Sequence, residues 1–500
     1  MNARVPASVL NTADVLQHAT KAWDSDITQR ISDYITIPCK SPGFDADWHA
    51  NGHIEQVLRE AANWVQSQKV AGLTLEVLRL NDAQGKPRTP VLFFEIPAHQ
   101  HASKQTVLMY GHLDKQPEFS GWRNDLGPWS PKLEVGSDGA SRLYGRGGAD
   151  DGYAVYASIA AIQALKAQNA PHPRIVGLIE TCEESGSYDL LPYVDALKTK
   201  LGDVSLVVCL DSGAGNYDQL WLTSSLRGMV SGTLRVDILT EGVHSGDASG
   251  LVPSSFRIMR QVLDRLEDSA TGRLLPKSFH CEVPADRLQQ ARDTAKILGD
   301  EVHKRFPWAH ADCGGSTAFA LPTTTDPVEG LLNRTWKPTL SVTGAEGFPA
   351  LKDAGNVLRP YTAFKLSLRT PPLVDAVATM HELKKLLEDN APYQAKVTFQ
   401  GGGAASGWNA PSTAPWLQTA LDSASQAYYG APCGYIGQGG TIPLMNMLSI
   451  GFPKAQMMVC GVLGPKSNAH GPNEFLHVDY AKKITASVAS VIASHPAHPA

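Results

Sequence analysis

The first 220 residues alternate between short apolar runs and segments whose apolar residues recur every third or fourth position. The recurring spacing predicts helices in DITQRISDYITIP, HIEQVLREAANWVQSQ and GYAVYASIAAIQALKAQ. The apolar runs predict strands in LTLEVLRL, TPVLFFEIP, TVLMYGHLD, RIVGLIET and VSLVVCLDSG. The last two are continuous, as in strands that are buried on both faces. We therefore predict an α/β fold with a mostly parallel sheet.

The pattern changes after SSLRG. Strands MVSGTLRVDIL, TLSVTG, TAFKLSLRT and AKVTFQG, with helices SSFRIMRQVLDRLED, RLQQARDTAKILGDEVHKRF and DAVATMHELKKLLEDN, predict a small α+β layer with helices on one side of one sheet. The Gly-rich stretch GGGAASGWNAP (401–411) is predicted to be a hinge, and a helix and a buried strand follow it. We predict an α/β domain of residues 1–226 and 410–500, interrupted by a second domain of residues 227–409.

Length and composition set limits on these predictions. A chain of 500 residues exceeds the usual size of a single core, so two domains are expected. The net charge of −5 argues against a broad nucleic-acid footprint, and without a run of about 18 apolar residues we expect no membrane span. The N-terminus lacks the apolar core of a signal peptide. The seven scattered cysteines contain no CxxC pair, which favours reduced thiols in a cytoplasmic protein.

Histidines and acids follow several of the predicted strands. Ligands of α/β sheets gather beyond the carboxyl ends of strands, and imidazole with carboxylate suits borderline metals such as zinc. Each element alone is a weak signal, since a lone His-x-Asp is usually a surface pair and GRGG lacks the GxGxxG and Lys of nucleotide loops. Together they predict a metal site from His112 and Asp114, Asp150 and Asp151, Glu183 and Glu184, Asp211, and His470.

The order of these motifs resembles that of the di-zinc metallopeptidases of the aminoacylase, carboxypeptidase and carnosinase type. The matching stretches run from residue 107 to residue 474 and include YGHLDKQP, LYGRGGADD, EESG, LDSG, HSG, QGGT and AHGPNE. The first two are most similar to the carnosinase-like cytosolic dipeptidases. The resemblance implies an α/β catalytic domain with an inserted α+β, ferredoxin-like lid that also supplies the dimer contact.

The resemblance implies two zinc ions per subunit, with manganese or cobalt as possible substitutes. His112 would bind one ion and His470 the other, and Asp150 would bridge both. Glu184 would join the His470 side or the His112 side, and Asp211 the opposite one. The two metals would share a bridging hydroxide, whose pKa they lower to near neutrality.

Three further roles follow from the same resemblance. Glu183 would be the general base that takes a proton from the metal-bound water and passes it to the leaving amine. Asp114 would accept a hydrogen bond from the far nitrogen of His112 and fix its tautomer. The peptide bond between Asp150 and Asp151 would be cis.

A second set of residues would bind the substrate. His244 would reach across a homodimer into the neighbouring active site and hold the carbonyl oxygen as negative charge develops. Arg369 would grip the substrate's free carboxylate, and closure of the lid would bring both residues to the substrate. Two simpler interpretations stay open: Arg369 as a structural salt-bridge partner and His244 as the cap of a turn. The other residues of this set are Asn356, Gly439, Gly440 and Thr441.

The expected activity is hydrolysis of an amide bond next to a free carboxylate, on dipeptides or short peptides, without nucleic-acid or membrane partners. An N-acyl-amino-acid deacylase would need the same metal site, and a non-catalytic binding relative would have lost a ligand or the base. The chain departs from the family pattern twice. The Lys that often follows the two aspartates is absent from ADDGYAVYA, and Gly437-Gln438 stands where Arg-Glu is expected. The second departure predicts a side-chain preference different from that of carnosinase.

Overall fold

The computed structural model describes residues 10–306, 308–309 and 320–496, apart from the side chains of residues 443 and 444. These residues form two compact units. The first unit comprises the described residues within 1–223, 410–436 and 447–500, and the second comprises those within 224–409 and 437–446. Residues 437–446, which the sequence assigns to the α/β domain, thus pack with the second unit.

Strands and helices alternate up to residue 226, as the apolar pattern predicts. The helices are α1 (Thr12–Ala22), α2 (Thr28–Ile35), α3 (Trp48–Asn51), α4 (His53–Ser67), α5 (Ala154–Ala167) and α6 (Leu190–Leu201). The strands are β1 (Thr74–Leu78), β2 (Val91–Ile96), β3 (Thr106–His112), β4 (Lys132–Val135), β5 (Ser141–Tyr144), β6 (Arg174–Glu180), β7 (Val204–Cys209) and β8 (Trp221–Leu226).

The elements from residue 228 to residue 409 build the second unit. Its strands are β9 (Gly228–Asp237), β10 (Val243–His244), β11 (Thr339–Glu346), β12 (Val357–Leu358), β13 (Tyr361–Thr370), β14 (Lys396–Ala405) and β15 (Trp408–Asn409). Its helices are α7 (Ser245–Ala248), α8 (Ser255–Leu263), α9 (Ala285–Leu298), α10 (Glu301–Lys304), α11 (Pro327–Thr335) and α12 (Ala376–Glu388). The remaining elements are α13 (Pro415–Tyr429), β16 (Gly434–Gln438), α14 (Pro443–Gly451), β17 (Gln456–Val459), β18 (Phe475–His477) and α15 (Val478–Ala493).

The main sheet of the first unit has the strand order β1-β2-β6-β3-β7-β17. Its centre is parallel, because β3 pairs in parallel with β6 and β7, and β17 pairs in parallel with β7. β1 and β2 add an antiparallel edge. Every residue of β3 is buried, as expected for a strand covered on both faces. The carboxyl ends of β3, β6 and β7 therefore meet at one edge of the sheet.

The second unit contains a four-stranded antiparallel sheet with the order β11-β13-β9-β14. Burial along β9 alternates residue by residue, so one face of this sheet is covered. Apolar residues of α8 and α12, such as Met259 and Leu383, pack into the same core as Leu234 of β9. The predicted α+β layer with helices on one side of a sheet is confirmed.

Two local predictions are wrong. The predicted hinge at 401–411 begins inside a strand, because β14 runs to Ala405 and its residues 401 and 403–405 pair with β9. The long helix predicted before residue 306 is broken at Gly299, whose φ of 50° ends α9. The six cysteines in the described part of the chain are free thiols, and Cys313 lies outside it. None of the described helices is both long and apolar enough to traverse a lipid bilayer.

Candidate active site

His112 is the last residue of β3, and Asp211 follows β7 two residues after that strand ends. The two strands are neighbours and parallel, so the two side chains meet at the same sheet edge. His112 Nε2 lies 3.8 Å from Asp211 Oδ2 and 3.6 Å from Asp150 Oδ1. This nitrogen is buried and has no hydrogen-bond partner among the described residues. The three side chains form the first triad.

Asp150 lies in the glycine-rich turn Gly148–Gly152, which precedes α5. Its peptide bond to Asp151 is cis, as the resemblance implies. The turn begins beside Gly147, whose φ is 81° and where an added Cβ would lie 2.7 Å from a carbon of Lys115. Glycine is therefore needed at this position on two counts. The carboxylate of Asp151 accepts the backbone N–H of His112 at 3.3 Å.

His470 supplies the second triad. Its Nε2 lies 2.9 Å from Asp150 Oδ2 and 3.3 Å from Glu184 Oε2. The two oxygens of Asp150 thus face two different histidines. In each triad, the candidate ligand atoms lie within 4.8 Å of one another, close enough to hold a metal ion. The geometry places Glu184 with His470 and Asp211 with His112.

The carboxylate of Asp114 forms hydrogen bonds with the turn Glu183–Ser185 and lies farther from His112. Its Oδ1 and Oδ2 accept the backbone N–H groups of Glu183 and Glu184 at 3.1 and 3.0 Å. The nearest partner of His112 Nδ1 is the backbone oxygen of Asp114 at 3.1 Å, while the carboxylate lies at 3.5 Å. Asp114 therefore orients His112 mainly through its main chain, and its carboxylate holds the Glu183–Ser185 turn.

Glu183 belongs to neither triad. It opens a short 3₁₀ turn, Glu183–Ser185, after β6. Burial and the neighbouring charge of Asp211 hold the pKa of Glu183 well above its usual range. A buried carboxylate with a raised pKa beside a candidate metal site is a candidate for acid–base catalysis.

The histidines and carboxylates of the two triads shift one another's pKa values. Burial alone would lower the pKa of His112, but Asp114, Asp150 and Asp211 raise it well above the usual value. Burial likewise acts against His470, and the carboxylates of Glu184 and Asp150 raise its pKa. Burial raises the pKa of Asp211 to about 7, although His112 opposes this shift. So many carboxylates in one buried place require positive charge.

The donor set fits a pair of divalent cations. Each triad combines one imidazole nitrogen with carboxylate oxygens, the ligand types that zinc, manganese and cobalt accept. The buried Nε2 of His112, which lacks a partner among the described residues, is the kind of atom that a cation would satisfy. The shared aspartate would let both ions sit side by side.

Two contacts near the triads escape prediction from the sequence. Gln116 Nε2 donates to Glu184 Oε2 at 2.6 Å and orients that carboxylate. Arg146 and Glu474 form a buried ion pair at 2.7 Å, and Glu474 also accepts the backbone N–H of Gly147. Both glutamine and arginine stand inside the matching motifs, YGHLDKQP and LYGRGGADD, but only the fold shows what they touch.

Part of the predicted substrate-binding set comes together within the second unit. Arg369 Nη1 donates to Thr441 Oγ1 at 3.2 Å, and Thr441 Oγ1 donates to the backbone oxygen of Arg227 at 2.6 Å. Gly439 lies in the same turn, and its backbone oxygen faces Arg227 Nε at 3.4 Å. Gly440 is exposed, with no atom within 4 Å of an added Cβ. Arg369 forms no salt bridge with any residue that the structure describes.

His244 and Asn356 form a second, separate group. His244 pairs with Val357 in the two-stranded β10–β12 ladder, and the backbone oxygen of Asn356 accepts the N–H of Ser245 at 2.9 Å. His244 is exposed, and its Nδ1 accepts the backbone N–H of Asp247 at 3.3 Å. The histidine thus caps α7 through Nδ1, and its Nε2 forms no hydrogen bond with the residues that the structure describes.

Comparison with known proteins identifies the class. Residues 108–494 match the model of peptidase family M20/M25/M40. The match covers more than half of the chain and spans both candidate triads. The chain belongs to this family of metallopeptidases.

Individual relatives narrow the comparison. A cysteinylglycine-S-conjugate dipeptidase of Corynebacterium striatum is 26% identical over 445 residues, which cover 87% of this chain and 90% of the relative. Human Beta-Ala-His dipeptidase is 26% identical over 396 residues, covering 76% and 72%. A di-peptidase structure from Saccharomyces cerevisiae superposes with a TM-score of 0.76 at 21% identity, covering 98% of this chain and 99% of that one. The last similarity confirms the mixed α/β fold.

Proposed function

We propose that this chain is a metal-dependent dipeptidase, which hydrolyses the amide bond next to a free carboxylate. The observation that carries the proposal is the pair of triads that share Asp150, with Glu183 beside them and outside both. The relatives from Corynebacterium striatum and human support the choice of substrate class, since both are dipeptidases by name and each match covers more than two thirds of the relative.

We propose zinc as the metal, with manganese and cobalt as the alternatives that metal analysis would distinguish. His112, Asp150 and Asp211 would hold one ion, and Asp150, Glu184 and His470 the other. When bound, the two ions supply Lewis-acid chemistry: they polarise the scissile carbonyl and acidify water. Asp114 and Gln116 position this set without being ligands, through the hydrogen bonds described above.

Glu183 is the proposed proton carrier. Its carboxylate oxygen takes a proton from the attacking water and delivers it to the nitrogen of the leaving amine. Burial and the charge of Asp211 raise the pKa of Glu183, which makes its carboxylate a stronger base for the first of these two transfers. The backbone N–H groups of Glu183 and Glu184 donate to Asp114, and these two hydrogen bonds hold the turn that carries the Glu183 carboxylate.

Arg369 and Thr441 are the proposed partners of the substrate's free carboxylate, a role in which a planar guanidinium forms two parallel hydrogen bonds. Gly439 and Gly440 would offer backbone to the same end of the substrate, and Asn356 a polar side chain. The exposed Nε2 of His244 would hold the carbonyl oxygen in the active site of a neighbouring subunit, within a cytoplasmic homodimer.

The homodimer has a direct test. Glu183→Ala and His244→Ala subunits should each be inactive alone. Random mixing should restore about a quarter of wild-type activity, because half of the dimers then contain one complete site. Restoration requires that His244 acts in its partner's site, and no restoration would contradict that role.

The rival activity is that of an N-acyl-amino-acid deacylase of the same fold. It needs the same triads and the same grip on a carboxylate, but no place for a free amine. The test compares the zinc-loaded protein on an unblocked dipeptide and on the N-acetylated amino acid that shares its C-terminal residue. Faster cleavage of the dipeptide supports the proposal, and faster cleavage of the acetylated compound supports the rival. Hydrolysis of neither by fully metal-loaded protein would point to a non-catalytic binding relative.

A further inference from the structure

Three arginines of the second unit lie near the turn that holds Gly439 and Thr441. Arg369 donates to Thr441 as described, and Arg227 donates through Nε to the backbone oxygen of Gly439. An added Cβ on Gly439 would lie 3.1 Å from Arg227 Nη2 and 3.7 Å from Arg334 Cγ. Only the first of the three, Arg369, belongs to the substrate-binding set predicted from the sequence.

The positive charges of this cluster have no acidic partner in the described part of the chain. Among the residues that the structure describes, none of the three guanidinium groups forms a salt bridge, whereas Arg235, in the same sheet as Arg369, pairs with Asp237 at 2.7 Å. Arg227 is 8% exposed, and its charge is met only by neutral oxygens, including Thr339 Oγ1 at 2.9 Å from Nη1. The Nε of Arg334 is buried and has no hydrogen-bond partner among the residues with a described position.

Burial and neighbouring positive charges disfavour the charged forms of Arg227 and Arg334 and lower their pKa values. Burial, followed by the charges of Arg369 and Arg334, lowers the pKa of Arg227 to about 9. Burial and the neighbouring Arg305 lower the pKa of Arg334 to about 10. Both groups remain charged at neutral pH. Buried groups of like charge with unused N–H donors are normally found where an anion neutralises their charge and accepts their hydrogen bonds.

We propose that this cluster selects substrates whose C-terminal residue carries a second carboxylate, that is, dipeptides ending in aspartate or glutamate. The inference rests on the proposed dipeptidase activity and adds its side-chain preference. Arg369 with Thr441 takes the main-chain carboxylate. Arg227 Nη2, which donates to none of the described residues, takes the side-chain carboxylate together with Arg334. One substrate carboxylate leaves two guanidinium groups without a counter-ion, whereas two carboxylates neutralise most of the cluster.

The sequence supports this assignment at one adjoining position. Gln438 stands where the family pattern has Glu, and its backbone oxygen accepts the N–H of Arg227 at 3.3 Å. The neutral glutamine adds no anion of its own at the position whose main chain contacts Arg227.

The test measures kcat/KM for Ala-Glu against Ala-Gln, and for Ala-Asp against Ala-Asn, with metal-loaded protein. These pairs differ by a charge and hardly in shape. We expect the wild type to prefer the acidic member about 10- to 100-fold, the range expected for hydrogen bonds to a charged group. Whichever pair shows the larger ratio identifies the preferred side-chain length.

Thr339→Asp and Thr339→Asn form the matched variants, because residue 339 already touches Arg227 and the two changes differ only in charge. The aspartate should reduce the acidic preference to within about threefold of unity, and the asparagine should keep it. Arg334→Gln should reduce the preference as well, and the thermal unfolding temperature of each variant reports folding.

The possible outcomes separate the two proposals. Equal rates within both wild-type pairs, or a preference that survives both Thr339→Asp and Arg334→Gln, overturn the inference and leave the dipeptidase intact. If no dipeptide is hydrolysed, calorimetry that compares the binding of L-glutamate with that of L-glutamine tests the cluster without catalysis. Selective binding of glutamate that Thr339→Asp abolishes supports the cluster, and equal or absent binding of the two amino acids overturns it.

Discussion

The carboxylate of Asp114 accepts the backbone N–H of Glu183 at 3.1 Å, so the residue that orients the first histidine also holds the proposed base. The same carboxylate accepts the N–H of Glu184 at 3.0 Å. One fully buried aspartate at the end of β3 thus couples the turn after β6 to His112. The main chain of the proposed base is thus held by a side chain that belongs to neither triad.

Replacing Asp114 by Asn should therefore reduce kcat more than it reduces metal binding. The amide NH2 of Asn would face one of the two backbone N–H groups, so one hydrogen bond to a charged acceptor is lost, worth about 1.5 to 3 kcal/mol. We expect kcat to fall about 10- to 100-fold. The matched control is Asp125→Asn, on the exposed surface, which should change kcat less than twofold. Equal kcat values for the two variants would contradict this role.

Glu180 should make stability depend on pH. Burial, and then the charge of Asp114, raises the pKa of Glu180 to about 7, from an ordinary value of 4.5. Between these two values the folded chain holds a proton that the unfolded chain has lost, so stability falls as the pH rises through this window. Above pH 7 the loss is complete.

Glu180→Gln removes this titration and keeps an oxygen that accepts from Tyr110 and Ser187. Between pH 5 and pH 7.5, its unfolding free energy should fall less than that of the wild type, by up to about 3 kcal/mol. Urea unfolding of both proteins at the two pH values measures the difference. Parallel pH profiles would show that Glu180 does not titrate in this range.

The buried pair of Arg146 and Glu474 should be a major determinant of stability. Their side chains are 1% and 0% exposed, so Arg146→Ala leaves a buried carboxylate without its partner. The expected cost is about 3 to 5 kcal/mol of unfolding free energy, measured by urea unfolding at pH 7.5. Arg123→Ala breaks a half-exposed network with Asp125 and Glu134 and should cost less than about 1 kcal/mol. Similar losses in the two variants would refute the distinction.

The sequence predicts the place of the site because parallel strands impose it. Once TVLMYGHLD and VSLVVCLDSG are recognised as buried parallel strands, His112 and Asp211 must lie at one edge of the sheet. Which carboxylate joins which histidine depends on the turn geometry after β6, and the spacing of residues leaves both options open. The sequence does not predict the hydrogen bonds that main-chain N–H groups donate to Asp114, because they depend on the same turn geometry.

The arginine cluster shows a different limit of the sequence. Arg227 and Arg334 lie more than a hundred residues apart, and neither has a charged partner nearby in the chain that would mark it. Only the folded second unit brings them to one turn. The glycines of the predicted hinge led to a wrong prediction of irregular structure. The hydrogen bonds of a strand ladder use only the backbone, so Gly401 can pair with Gly232 without any side chain.

The most direct test of the central claim is the turnover of Glu183→Ala, measured on a dipeptide with the bound metal counted in the same sample. Glu183 belongs to neither triad, so the variant should retain two metal ions per subunit. Its kcat should fall at least about 100-fold, the lower range for loss of a general base. Wild-type turnover in a variant that holds both ions would contradict the account.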